Sequence, residues 1–156
     1  MGRLPRRLFL TYDPPMAGID FYEVKGPRWE LAVCERVEAL YEAGERVYVR
    51  APSEALARAL DDLLWTFRED SFVPHRLWGG EGDLPDPVAV GWRRGNPNGA
   101  TCLVLAGAGE PEELSGFAQA FDFVPVSDPE LTAGARERYR AFRAAGHQVT
   151  FRPAPS

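Results

Sequence analysis

Cysteine and histidine are both scarce. The chain carries two of each: Cys34 and Cys102, His75 and His147. Two cysteines are too few for a disulfide scaffold, and two histidines beside them leave the ligand count low for a metal site, so none is expected. Long apolar runs are missing as well; nothing approaches the ~20 residues a membrane helix needs. Basic residues Arg3, Arg6 and Arg7 precede only the short run Leu8-Phe9-Leu10, which is no signal-peptide core. These absences point to a cytoplasmic protein without a membrane partner. Excess positive charge is absent too: the net charge of −5 argues against a surface that coats nucleic acid.

What remains is 156 residues, 45% hydrophobic and 26% charged, the make-up of one globular domain with room for a single core. Hydrophobic periodicity predicts strands over 18–24, 45–51, 87–92, 101–107, 121–126 and 148–153. It predicts a helix over 29–43 with Val33, Cys34, Val37, Leu40 and Tyr41 on one face, stopped by Gly44. A second helix starts at Ser53, a good N-cap, and runs to about Phe67. Residues 112–120 are expected to form a third. Asp128-Pro129-Glu130 is a strong start for a fourth, which runs to Ala145 with Gly146 closing it. Alternating strands and helices indicate a single three-layer α/β domain, with a central, mostly parallel sheet and helices on both faces.

Catalytic chemistry finds little support. Gly107-Ala108-Gly109 stands where a dinucleotide-binding turn belongs, after a strand. Glu110, Glu112 and Glu113 follow, and their carboxylates would repel a pyrophosphate from a helix N-terminus. No third glycine falls at the required spacing, and no phosphate-loop lysine is present. Cys34 and Cys102 fit small core residues better than reactive thiols. His75 has no nucleophile beside it and reads as structural. No cofactor is expected.

Two helices say more. At ~100° per residue, Leu56, Leu60, Leu63, Leu64 and Phe67 share one stripe of the second helix, and Trp65 falls opposite it among Arg58, Asp61 and Asp62. Two readings stand: Trp65 anchors a partner, or the 68–80 loop folds over it. In the last helix Leu131, Ala135, Phe142 and Ala145 form a core face. Arg136, Arg140 and Arg143 line up beside it, edged by Tyr139, with Thr132 at the stripe's start. Two readings stand here too: a solvated face, with Glu137 offering some pairing, or a site for a short acidic peptide, since guanidinium forks suit carboxylates as well as phosphates.

Several blocks together resemble a known family. They are Phe21-Tyr22, Leu60-Asp61 through Leu64-Trp65, Ser71-Phe72-Val73-Pro74-His75, Phe123-Val124-Pro125, and Ala135-Arg136-Glu137-Arg138-Tyr139-Arg140 closing at Gly146. In order and spacing over about residues 19–147 they are similar to the chi subunit of bacterial DNA polymerase III. The resemblance implies a fold like a mononucleotide-binding domain and a noncatalytic accessory role in the clamp-loader assembly. It implies two protein partners and no direct nucleic-acid contact. One is the acidic, hydrophobic-ended C-terminal tail of single-stranded DNA-binding protein; the other is the psi subunit or an equivalent clamp-loader component. Carried over, the tail site uses Val124, Arg136, Tyr139 and Arg140, and the psi-facing surface uses Trp65 and Phe72.

Two departures bear on this. Relatives often place a lysine one turn before the first arginine, where this chain has Thr132 or Ala133, so the resemblance implies a tail site that is either weaker or shifted toward Arg143. About 17 residues precede the first strand, so 1–17 is read as an extension to a domain over 18–153, with Met16 as an alternative native start. The rival classes are a nucleotide-dependent enzyme of Rossmann-like fold and a direct nucleic-acid binder.

Overall fold

A computed structural model of the chain describes residues 17–155. The expectations about an N-terminal extension and Met16 therefore fall outside the described residues, apart from Ala17, which is buried. Seven strands form one sheet: β1 (Gly18–Val24), β2 (Val47–Arg50), β3 (His75–Trp78), β4 (Val88–Gly91), β5 (Cys102–Leu105), β6 (Gln119–Pro125) and β7 (Val149–Arg152). Their order is β3-β4-β2-β5-β6-β1-β7, and every pairing is parallel. Parallel strands buried on both faces read as continuous apolar runs, as in the fully buried β4 and β5.

Three helices supply the long crossovers: α1 (Trp29–Glu42), α2 (Glu54–Thr66) and α3 (Pro129–Ala144). Helices α1 and α2 cover one face. Val33, Cys34 and Val37 of α1 and Ala57, Leu60 and Leu64 of α2 pack on Val47, Val49, Val88, Val90, Val104, Phe121 and Phe123. The opposite face gathers Ile19, Phe21, Tyr48, Leu103 and Leu105 under Phe142 of α3 and under Leu114 and Phe117. Burying a ring as completely as that of Phe142 contributes about 2 kcal/mol.

The caps follow sequence. The Ser53 hydroxyl accepts from Leu56 N at 3.2 Å, and an Asp128 carboxylate oxygen accepts from Glu130 N and Leu131 N at 3.0 and 3.1 Å. After α3, Gly146 takes φ of 95°, the left-handed turn that ends helices.

Two expectations are corrected. Residues 112–120 are not a helix: a single 3-10 turn, Pro111–Leu114, ends before Gly116 at φ of 90°, and β6 already begins at Gln119. Left-handed backbone at Gly116 swings Phe117 into the core, so the Leu114–Phe117 spacing reflects a turn, not a helical face. The sequence places 68–80 in a loop, whereas the structure forms the strand β3 there. It is four residues long, lies on the sheet edge against β4 alone, and buries only His75 and Trp78.

Candidate docking surfaces

Helix α3 sits on β6, β1 and β7. Its core side is fixed by Ala135 and Phe142, and by Tyr139, whose ring lies 5.2 Å from that of Phe21. Beneath it lies a buried ion pair. The Arg138 Nε and Nη2 donate to the two carboxylate oxygens of Asp122 at 2.7 and 2.9 Å, and Arg138 Nη1 donates to the Gly107 carbonyl at 3.1 Å. Burial pushes the Asp122 carboxyl upward, and the guanidinium and the Phe123 N–H pull it back.

Arg138 is thereby consumed by the core. Arg136, Arg140 and Arg143 are exposed, and none makes an ion pair among the described residues. Tyr139 and Val124 are half-buried and pack against the same core cluster. Thr132 stands at the join of α3 and β6, and its hydroxyl donates to the Pro125 carbonyl at 2.7 Å. The structure thus gathers Val124, Thr132, Arg136, Tyr139, Arg140 and Arg143 along one element and the strand end that leads into it.

Sequence reading missed Phe151. It pairs in register with Phe21, remains 44% exposed, and shares by alternation the face of Val149, which packs on the α3 side. The signal was the alternation of Val149 and Phe151 itself.

The second surface lies at the other end of the sheet and on its other face, where α2 packs on β4 and β3. Trp65 is 49% and Phe72 68% exposed, with ring centroids 5.9 Å apart. The loop before β3 touches the indole through Phe72 and leaves about half of it exposed, so the loop does not cover Trp65. Its ring also lies 4.1 Å, between centroids, from that of His75. Burial also raises the Asp61 carboxyl beside that histidine, and the histidine works against the rise.

Burial pushes the thiols of Cys34 and Cys102 up to about 12 and about 11. No group of three or more His, Cys, Asp or Glu capable of holding a metal occurs among the described residues. At Gly109 an added Cβ would meet Leu105 at 2.7 Å, so that glycine serves packing, and the turn after it is closed by a Glu110–Glu113 capping box. One groove among the described residues is lined by Tyr22, Val24, Ala32, Arg36 and Phe123, and a smaller one by Trp29, Phe123 and Pro125 with Leu131, Gly134 and Arg138 of α3. No helix among the described residues is long and apolar enough to cross a membrane.

Comparison with known proteins identifies the family and the fold. The family described as "DNA polymerase III chi subunit, HolC" matches residues 16–150. DNA polymerase III subunit chi of Escherichia coli is 35% identical over 122 residues, 77% of this chain and 82% of that protein. The protein of the same name from Pseudomonas aeruginosa is 31% identical over 137 residues, 86% of this chain and 94% of its own length. That from Haemophilus influenzae is 32% identical over 122 residues, 78% and 84% of the two chains. The crystal structure of T4 UvsW superposes with a TM-score of 0.67 over 88% of this chain at 9% identity. This chain spans 41% of that one, and the likeness concerns the fold alone. The chain belongs to the DNA polymerase III chi subunit family.

Proposed function

We propose that this protein is a noncatalytic accessory subunit that couples single-stranded DNA-binding protein to the clamp loader of DNA polymerase III. The α3 surface takes the acidic C-terminal tail of single-stranded DNA-binding protein, and the Trp65–Phe72 surface takes a psi subunit or its equivalent. One observation carries the reading: three exposed arginines of α3 have no acidic partner among the described residues and stand beside Tyr139 and Val124.

Arg136, Arg140 and Arg143 attract the tail carboxylates. Exposed pairs contribute only about 0–1 kcal/mol each. The apolar end of the tail therefore supplies much of the affinity, lying against Tyr139 and Val124 with Phe151 at the strand edge. Micromolar binding, about −8 kcal/mol, is the expected scale.

The test is fluorescence-anisotropy titration of a labelled tail peptide against the wild-type chain and the variants Arg136→Ala and Tyr139→Ala. Each variant weakens binding. Unchanged affinity in both would remove the site assignment.

A further inference from the structure

His75 is enclosed completely, with no side-chain exposure. Its Nδ1 lies 2.7 Å from the Val73 carbonyl, its Nε2 2.9 Å from the Asp61 carbonyl and 3.3 Å from Asp61 Oδ1. All three partners are acceptors when Asp61 is ionised. A neutral imidazole has one N–H, so one of its nitrogens would set a lone pair against a carbonyl oxygen at hydrogen-bond distance. Only a ring that donates from both nitrogens satisfies both sides. One donation ties it to the chain just before β3, the other to α2.

The face of the same ring packs against the Trp65 indole. The Trp65 ring also lies 5.9 Å from that of Phe72, itself mostly exposed. The charged neighbour in contact with His75 is Asp61 of α2; Arg58 and Asp62 flank that carboxylate on the same helix, and β4 offers the apolar Val88 in register. On β3 itself, Arg76 is turned to Asp86 at 3.0 Å.

We propose that His75, donating from both ring nitrogens, is the positioning residue of the second docking surface: it pins α2 to the start of β3 and holds the Trp65 indole on its face, next to Phe72, for an apolar partner. A doubly protonated ring under an indole adds a cation–π attraction that the neutral ring lacks. Losing the second proton removes that attraction and breaks one of the two ties. Docking on Trp65 is therefore tighter on the acid side of the His75 transition. The consequence for docking rests on the function proposed above, whereas the placement of Trp65 by His75 is measurable without a partner.

The experiment uses the full chain carrying His147→Gln, which leaves His75 as the remaining histidine. Imidazole 15N resonances are followed against pH, in parallel with the emission of Trp65 obtained by subtracting a Trp65→Phe variant. The expected result is that both nitrogens carry hydrogens below the transition, and that Trp65 emission changes in one step at the same pH. Acrylamide then quenches Trp65 more readily above the step than below it. In His75→Gln the step is lost. A His75 transition that leaves Trp65 emission and quenching unmoved overturns the proposal, and so does a ring with one N–H on the acid side. Should His75→Gln fail to fold, the coincidence of the two transitions in the His147→Gln chain decides alone. Failure of any partner to bind Trp65 bears on the docking function and not on these readouts.

Discussion

The two surfaces are built in opposite ways. On α3 the reactive groups are long, charged and free, and the helix beneath them is anchored by a buried ion pair and three aromatic rings, those of Phe21, Tyr139 and Phe142. On α2 the presented groups are two rings, and the polar group lies underneath, as the clamped imidazole of His75. A charged surface attracts at a distance and is screened by salt. An aromatic one acts at contact and depends on orientation. On the function proposed above, one small domain holds two partners whose affinities respond to different conditions.

The heaviest blow to this contrast falls on α3 from below. Asp122→Ala leaves Arg138 as an uncompensated buried charge, a loss of about 3–5 kcal/mol that urea denaturation measures. The paired replacement Asp122→Leu with Arg138→Met costs far less, because both desolvation penalties go together. Recovery of stability with impaired tail binding in that double variant would mean that the pair serves the seating of α3 more than the fold. Equal losses in the single and double variants would count against the pair's description as a coupled unit.

Next in size is a crossed test of independence. Arg136→Ala with Arg140→Ala weakens the tail peptide about tenfold, roughly 1.4 kcal/mol. Trp65→Ala leaves that affinity unchanged, since the two groups lie at opposite ends and on opposite faces of the sheet and distant sites add independently. A loss of tail binding in Trp65→Ala measured by the same anisotropy titration would show the surfaces to be coupled.

Sequence showed the arginine row because Asp128-Pro129 sets the start of α3 and the helical phase follows from there. The same phase puts Arg138 about 20° from Leu131, on the core face, which marks it as different from its three neighbours. Its partner was not legible: Asp122 sits in the strand FDFVP like any alternating polar residue, and only the fold brings it under the helix. Trp65 was legible for the same reason as the arginines. His75 was not, since its two acceptors come from Val73, nearby in the chain, and Asp61, which only the return of β3 against α2 brings close. The strand β3 escaped because it is four residues long and buries only its first and last, His75 and Trp78, on opposite faces, so it shows neither a two-residue alternation nor an apolar run. The false helix at 112–120 arose because acids and leucine favour helix locally, while Gly116 overrides them with left-handed backbone.

A smaller effect separates the surfaces by salt. The Debye length falls from about 10 Å to about 3 Å between 0.1 M and 1 M salt. Tail binding to α3 weakens several-fold across that range, whereas docking on Trp65 and Phe72, measured by the same titration with a psi-type partner, changes little. Equal salt dependence would mean that charge also governs the aromatic surface.

The finest adjustment lies at Thr132. Where the family resemblance leads one to expect a lysine, this chain has a hydroxyl that donates to the Pro125 carbonyl and ties α3 to the end of β6. Thr132→Lys adds a cation at the start of the arginine row but gives up that bond, with a stability cost of about 1 kcal/mol. The added charge is worth about 0.5 kcal/mol for an exposed pair, roughly a twofold gain in tail affinity. Thr132→Ala separates the two contributions, since it loses the bond without gaining the charge and binds the tail as the wild type does. Arg143→Ala supplies the other half of the test. If the tail has shifted toward the far end of α3, Arg143→Ala weakens binding in the wild-type chain, and Thr132→Lys restores part of the loss. An Arg143→Ala variant with wild-type affinity would place the tail at Arg136 and Arg140 alone, and the charge row would then end one turn earlier than its exposure suggests.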